Sequence, residues 1–459
     1  MSENLRKIVH KRWKYILIFI CVVLLVVNIL IFYPGYMSSD TLRNLNQAKG
    51  VSPFIDLQPV ILPIIWRVLI LISGSVASML FLQLIILWLS IAILSIIVYQ
   101  KTARKSVSLI PIAVGLAPFI INISGVIWSD NHLAFCLLFA VVVALLSENE
   151  KFSKKRLSLL FIALIFIFYA GMVRNNSVLA TIPILYLIVE KSKIKLTSKK
   201  KIFATFCLFV SIILASFIIR TVLVKRHITN TAGPMMDDIV HILNVDEINN
   251  SEAPAQLKAS LVKLHQCVQK EKNVIDAFPC GEEQDKTNVL ILFPNEVKDL
   301  WKWTLTNRPL EYIQRRITVF IYVIFPPEGR GYIWHDGVDS NMFGIDDKFK
   351  GLGEINRMYV YNFGYKHFQY LYEPWFWLFL NTALLFYARK LKELSIYVYA
   401  VSSSALLYIA TFIPTGIAAD YRYIYWPVIA GLLSLVLVIT DKYLIIKTSK
   451  PVRKSKNKK

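Results

Sequence analysis

The feature that most constrains this chain is a series of apolar blocks close to twenty residues long, such as Tyr15–Tyr33 and Val76–Tyr99. About 20 apolar residues in a helix, at ~1.5 Å per residue, cross a hydrocarbon core ~30 Å thick. Blocks of this kind are expected at 14–33, 76–99, 107–127, 131–147, 157–173, 176–190, 202–224, 367–388, 394–413 and 424–446. The reading is an all-α polytopic membrane protein of about ten transmembrane helices. The first block is long and runs into Tyr33-Pro34-Gly35-Tyr36-Met37, which lacks a small-x-small cleavage site. It reads as a retained signal anchor rather than a cleaved signal peptide.

Charge then sets the orientation. The net charge of +22 is concentrated in short segments between the blocks. Arg12 and Lys14 open the first, Lys101, Arg104 and Lys105 follow the second, and Lys154, Lys155 and Arg156 follow the fourth. Lys191 to Lys201, Arg389 to Lys392 and the tail 447–459 complete the series. The alternate segments 128–130, 174–175 and 414–423 hold only Arg174 and Arg422. Positive residues stay on the cytoplasmic side, so both ends are expected there, with the working face on the opposite side of the membrane. A basic chain patterned this way is not read as a nucleic-acid binder, and its tail suits anionic membrane lipid.

The domain organisation follows. Residues 1–224 form a seven-span module with a catalytic loop at 34–75. Residues 225–366 form a mixed extracytoplasmic insertion, 367–446 the last spans, and 447–459 a cytoplasmic tail. Pro59–Ser73 and Ile317–Pro327 are too short to span and are expected along the interface. Cys267 and Cys280 both fall in the insertion, where an oxidising compartment favours a disulfide; two free thiols is the competing reading. Cys21, Cys136 and Cys207 lie within spans as packing residues. The histidines and cysteines show no zinc-type spacing, and no Walker or dinucleotide motif is present, which argues against an ATP-driven pump.

The informative polar residues sit at one end of the spans. Asp40 follows the first, in Ser38-Ser39-Asp40-Thr41, and Asp56-Leu57-Gln58-Pro59 leads into the short apolar stretch. Trp128-Ser129-Asp130-Asn131-His132 follows the third, Arg174-Asn175-Asn176 the fifth, and Asp420-Tyr421-Arg422-Tyr423 the ninth. A carboxylate there can take a proton from an attacking hydroxyl, and an arginine can hold a phosphate leaving group. Simpler readings stand beside these. Asp40, Asp56 and Asp130 can cap helices, Arg174 and Arg422 can anchor at the headgroups, and His132 reads as packing. In the insertion, Asp237 and Asp238 follow span seven, and Trp301, Trp303, Tyr312, Arg315 and Arg316 form an aromatic and basic cluster suited to sugar stacking or to interface anchoring. The short turns Gly329-Arg330-Gly331 and Gly351-Leu352-Gly353 are not phosphate loops.

With Asp40, the Asp56-Leu57-Gln58-Pro59 element, Trp128-Ser129-Asp130 and Arg422-Tyr423 in view, the chain resembles the GT-C-type membrane glycosyltransferases of bacteria, which use polyprenyl-phosphate sugars outside the cytoplasm. The resemblance covers mainly 1–190 and, more weakly, the last two spans; 225–366 matches no motif. It implies a GT-C-like fold in a bacterial inner membrane with a periplasmic active site, Asp40 as catalytic base, Asp130 as a second acid, and Arg174 or Arg422 on the donor phosphate. Asp56, Gln58, Asn175, Asp237 and Tyr423 are the further donor- or acceptor-binding candidates. Gln58 stands where the family has a histidine, which removes a titratable group. Within the class the chain looks most like transferases that decorate O-antigen in lipopolysaccharide, or another cell-envelope polysaccharide, including serotype-converting glucosyltransferases. Implied partners are a polyprenyl-phosphate sugar, a lipid-linked glycan acceptor, a donor-synthesising transferase and a flippase. No cofactor or metal is called for, although a divalent cation between Asp40 and Asp130 stays open. Two rivals remain. A polysaccharide polymerase or ligase would use His335 or His367. A lipid-sugar flippase or transporter would carry midplane charges or inverted repeats, neither of which is evident.

Overall fold

The structure is a computed structural model that describes residues 3–150, 152–224, 232–271, 280, 282–326, 332–416 and 418–444. The tail 447–459 and the turn Gly329-Arg330-Gly331 lie outside the described residues. The protein is an all-α polytopic membrane protein. Among the described residues, seven helices are long and apolar enough to cross a membrane. They begin with α1 (Glu3–Phe32), which leads through α2 (Ser39–Ala48) and α3 (Ile61–Ser73) to the second long helix, α4 (Ser78–Thr102).

The expected third span, 107–127, is not one helix. It consists of short helices at Lys105–Ser108, Ile110–Gly115 and Pro118–Ile121, and the second and third each carry proline in the first turn. Proline is tolerated there but lacks the N–H that would continue a preceding helix. The segment still traverses the body. Trp13 donates to Ser108 Oγ at 3.0 Å at one end, while Ile127 N–H bonds Tyr36 O at 3.0 Å at the other. Its freed carbonyls find side-chain donors: Gln83 serves Ser124 and Val126, and Asn131 serves Ile123 and Val126. Broken backbone at membrane depth persists only when buried protein satisfies it in this way.

Next come α5 (Ser129–Ser147), α6 (Ser153–Val173), α7 (Val178–Lys191) and α8 (Ser198–Leu223). The 14-residue α7 carries Pro183 and is too short to qualify on length. The peripheral α8 leaves Phe203, Phe206, Phe217 and Val222 exposed, the surface a helix presents to hydrocarbon. The insertion follows, with α9 (Ala232–Ile242), α10 (Ala255–Glu271), α11 (Pro294–Asn307) and α12 (Pro309–Ile324). Met236, Ile239, Leu257, Leu261, Leu264, Val289 and Val297 give it a core separate from that of the membrane body. It was expected to be mixed; among the described residues its extended character amounts to the isolated bridge of Met37 with Val338. Cys267 and Cys280 are joined, their Cα atoms 5.6 Å apart. The chain closes with α13 (Pro374–Tyr387), also 14 residues, α14 (Ser395–Ala410) and α15 (Tyr425–Lys442).

The two ends of the bundle differ in character. At one end Lys101 and Lys191 pair with Glu148, Asp441 accepts the Lys392, Glu393 and Leu394 amides, and Arg104 lies over the Tyr443 ring. At the other, the chain after α1 runs as an extended strap. Tyr36 is hydrogen-bonded to Gly125 and Ile127, and Met37 to Gly337 and Asp339. A Cβ on Gly125 would fall 1.9 Å from the Phe32 ring, so this close crossing requires glycine. The strap delivers α2 to the mouth of the bundle.

Candidate active site

Seven chain segments converge at that mouth on a cavity of about 300 Å³, and five of them bring the polar side chains that concern its chemistry. Asp40 on α2, Gln58 ahead of α3, Trp128 and Asp130 at the start of α5, Arg174 and Asn175 after α6, and Arg422 and Tyr423 before α15 all line it.

Each carboxylate is placed by local structure. Ser38, not Asp40, holds the N-cap position of α2, so the Asp40 carboxyl in the first turn is turned to other partners. It accepts from Arg43 at 3.3 Å and from Arg422 at 3.1 Å, with its side chain 29% exposed. Trp128 holds the corresponding position before α5, and Asp130 pairs with Arg174, its side chain almost wholly buried. Two carboxylates on one cavity thus have different settings: Asp40 reaches solvent and Asp130 does not.

The arginines are built in from behind. Arg174 Nε donates to Asn176 at 3.2 Å, and Asn176 in turn donates to Thr411 on the segment after α14. Burial loosens the Arg174 proton, but Asp130, Tyr408 and Tyr423 together more than offset this, so the guanidinium stays charged. Arg422 Nε lies 2.7 Å from Asp420. Burial lifts the Asp420 carboxyl to about 6, against the opposing pull of Arg422. Both guanidinium groups lie over the Tyr423 ring, at 5.1 and 5.3 Å, and Arg422 also lies 4.9 Å over Trp128. Stacking on aromatic faces holds a planar cation in place while leaving its edge N–H groups available. Trp128 is itself fixed by a 2.8 Å bond to Ser38 Oγ, and Thr41 anchors α2 to Ile127 O at 2.8 Å.

Not every sequence-derived candidate reaches this cavity. Gln58 does, and accepts from Asn44 at 3.1 Å. Asp56 is buried nearby against Arg220 of α8, 2.6 Å away, on a neighbouring cavity. Asp237 lies apart, bonded to Arg315 at 2.7 Å within a buried cluster that also holds Asp238, Arg316 and Trp301. Arg316 donates from there to Gly416 O at 3.0 Å, and Pro234 and Gly416 both line the cavity, so the cluster supports its roof. His132 is buried against Tyr169, the packing role read from sequence. His335 is buried beside Trp128, and burial pulls its pKa below the ordinary value. His367 is exposed beside Phe363, and neither histidine lines the cavity.

Trp128, Asn176 and Asp420 lie within the polar turns read from sequence but were given no role of their own there, and Asn44 carried no signal. Asp420 and Trp128 flank residues that were chosen. The signal available for them was their place in the same polar turns. Among the described residues no three His, Cys, Asp or Glu side chains gather as a metal cluster would need.

No protein-family model and no curated protein matches the chain. Among solved structures, the archaeal oligosaccharyltransferase AglB from Archaeoglobus fulgidus, in complex with an inhibitory peptide and a dolichol-phosphate, aligns with a TM-score of 0.39 and 13% identity, over 94% of this chain and 50% of that one. The chain thus spans half the length of that protein, and a likeness this distant carries no argument about the site.

Proposed function

We propose that this protein is a membrane glycosyltransferase that moves a sugar from a polyprenyl-phosphate donor to a glycan hydroxyl at the mouth of the bundle. The observation that carries the reading is the convergence of Asp40, Asp130, Arg174 and Arg422 on one cavity at the ends of the spans. A lipid-linked donor keeps its tail in hydrocarbon and its phosphate at that depth. Two stacked arginines there offer forked donors to phosphate oxygens and stabilise the charge that develops as it leaves. A volume near 300 Å³ lies at the small end of ligand sites.

The reaction is a single displacement. The acceptor hydroxyl oxygen attacks the anomeric carbon as its proton passes to Asp40. The anomeric C–O bond to phosphate breaks with its electron pair remaining on the phosphate, and the anomeric configuration inverts. Asp40 is the base in this reading because it is the partly exposed carboxylate of the two. Asp130, buried on Arg174, positions that arginine. Each carboxylate already faces a guanidinium, so charge balance does not call for a divalent cation between them. Asn175, Gln58 and Tyr423 bind donor or acceptor. The acceptor class in this reading is an O-antigen or similar surface glycan, and the donor arrives from a separate synthase and flippase.

A polymerase or ligase relying on His335 or His367 fits less well, since neither lines the cavity. A transporter would carry its charges at mid-depth; here they lie at the mouth. The reading is tested in isolated membranes with a panel of labelled polyprenyl-phosphate hexoses. Label passing into glycan in a new glycosidic bond is expected, whereas movement of intact lipid-sugar across the bilayer with no new bond would replace the transferase by a flippase.

A further inference from the structure

Beside the first cavity lies a second of about 450 Å³, walled by the chain before α3, by α8 and by the first turns of α11. Pro59 and Asn175 line both cavities, so the two adjoin. Three charged side chains face the second one. Arg220, near the end of α8, has a half-exposed side chain and is held by buried Asp56 at 2.6 Å. Lys298 on α11 is exposed and makes no ion pair among the described residues. With one carboxylate against two cations among the described residues, its wall carries one positive charge in excess. The rest of its wall is largely apolar, including Ile61 and Ile219. On α8, just before Arg220, Phe217 and Ile218 are exposed, at 63% and 57%.

A positive recess at the end of a hydrocarbon-facing helix suits an amphiphile: an anionic head between Arg220 and Lys298, with its chains lying along the α8 surface. A headgroup anchor for Arg220 alone would need no recess and no second cation from the insertion. We propose that this cavity holds the phosphate head of a second membrane amphiphile, separate from the sugar donor, with Arg220 and Lys298 on the phosphate. On the glycosyltransferase reading, this amphiphile is the lipid-linked acceptor, whose glycan reaches the first cavity past Asn175.

The test uses the full chain in detergent. Binding of dioctanoyl phosphatidic acid is compared with that of neutral dioctanoylglycerol, with inorganic phosphate as competitor. The wild type is expected to bind the phosphatidic acid about tenfold tighter than the neutral lipid, and Lys298→Glu, an exposed change that leaves the fold alone, to lose about tenfold. Arg422→Gln, verified as folded by its melting temperature, should retain this binding. Equal affinity for charged and neutral lipid, or binding unchanged in Lys298→Glu, would overturn the proposal. So would loss of binding in folded Arg422→Gln, which places the lipid in the first cavity. Inorganic phosphate displacing the lipid at equal concentration would show a free-phosphate site and overturn it as well. In the transfer assay, Lys298→Glu is expected to raise the KM for acceptor while leaving that for donor unchanged; the reverse split would refute the acceptor role. Binding that depends on Lys298 in a protein that transfers no sugar would leave this site standing and remove only the glycosyltransferase reading.

Discussion

Arg422 is shared between two carboxylates, Asp40 at 3.1 Å and Asp420 at 2.7 Å, and the account gives it a third partner in the donor phosphate. The sharing has a pH signature. With its carboxyl lifted to about 6 by burial, Asp420 is neutral below that value and charged above it. Neutral Asp420 leaves more of Arg422 to an anion, and a donor phosphodiester stays ionised throughout. The KM for donor is therefore predicted to fall severalfold as pH drops from about 7.5 to about 5.5, and Asp420→Asn to flatten that dependence. At Arg174 the bond to Asn176 and the Tyr423 face both exploit a planar fork, so Arg174→Lys is predicted to behave like Arg174→Gln, weakening transfer by roughly ten- to a hundredfold. Steady-state kinetics on each variant checks both statements. Asp40, Asp130, Arg174 and Arg422 could be picked out in the sequence because a charged residue at the end of an apolar block has few reasons to be there. Their pairing could not. Which carboxylate meets which arginine depends on how spans distant in sequence are arranged, and nothing local to Asp130 points to Arg174.

Among the elements, the insertion and the broken third crossing separate what pattern can and cannot show. The periodicity of Leu257, Leu261, Leu264 and Val268 predicts the helix that forms at Ala255–Glu271, and these residues are buried in the core of the insertion. Hydropathy alone reads 107–127 as one helix; Pro111 and Pro118 divide it, and side chains from α4 and α5 satisfy carbonyls of the irregular stretch that follows Ile121. The insertion is tied to the cavity through Arg316, which is buried with Asp238 and donates to Gly416 O. Removing one member of a buried ion pair leaves the other uncompensated, so Arg316→Met is predicted to cost about 3–5 kcal/mol. A drop in thermal midpoint together with reduced transfer is the expected outcome; a variant as stable as wild type would mean the cluster does not hold the roof. Reduction of Cys267–Cys280, which closes a 13-residue separation, is expected to destabilise the insertion by about 3 kcal/mol on chain-entropy grounds. Hydrogen exchange in α10 under reducing and oxidising conditions measures it.

The whole molecule is a bundle with a basic end and a polar mouth, and the positive-inside rule predicts that the basic end faces the cytoplasm. Cysteines placed at Lys154, at the basic end, and at Met342, beside the strap, are both exposed positions. In intact cells an impermeant thiol reagent is predicted to label Met342→Cys but not Lys154→Cys, and labelling of the pair in the opposite sense would invert the topology. That the chain is an all-α polytopic membrane protein could be read from sequence because hydropathy is local, although about ten spans were expected and seven helices qualify on length and composition among the described residues. The closing of seven segments onto one cavity could not, since it is a property of packing. The claim that joins these scales is that Asp40 is the base of a sugar transfer. It is tested most directly by following transfer from labelled polyprenyl-phosphate sugars in membranes holding wild type or Asp40→Asn at matched protein level. Transfer by the wild type is expected, with a fall of about 10²–10⁴-fold in the variant and donor binding retained. Equal transfer by the two proteins would contradict the claim.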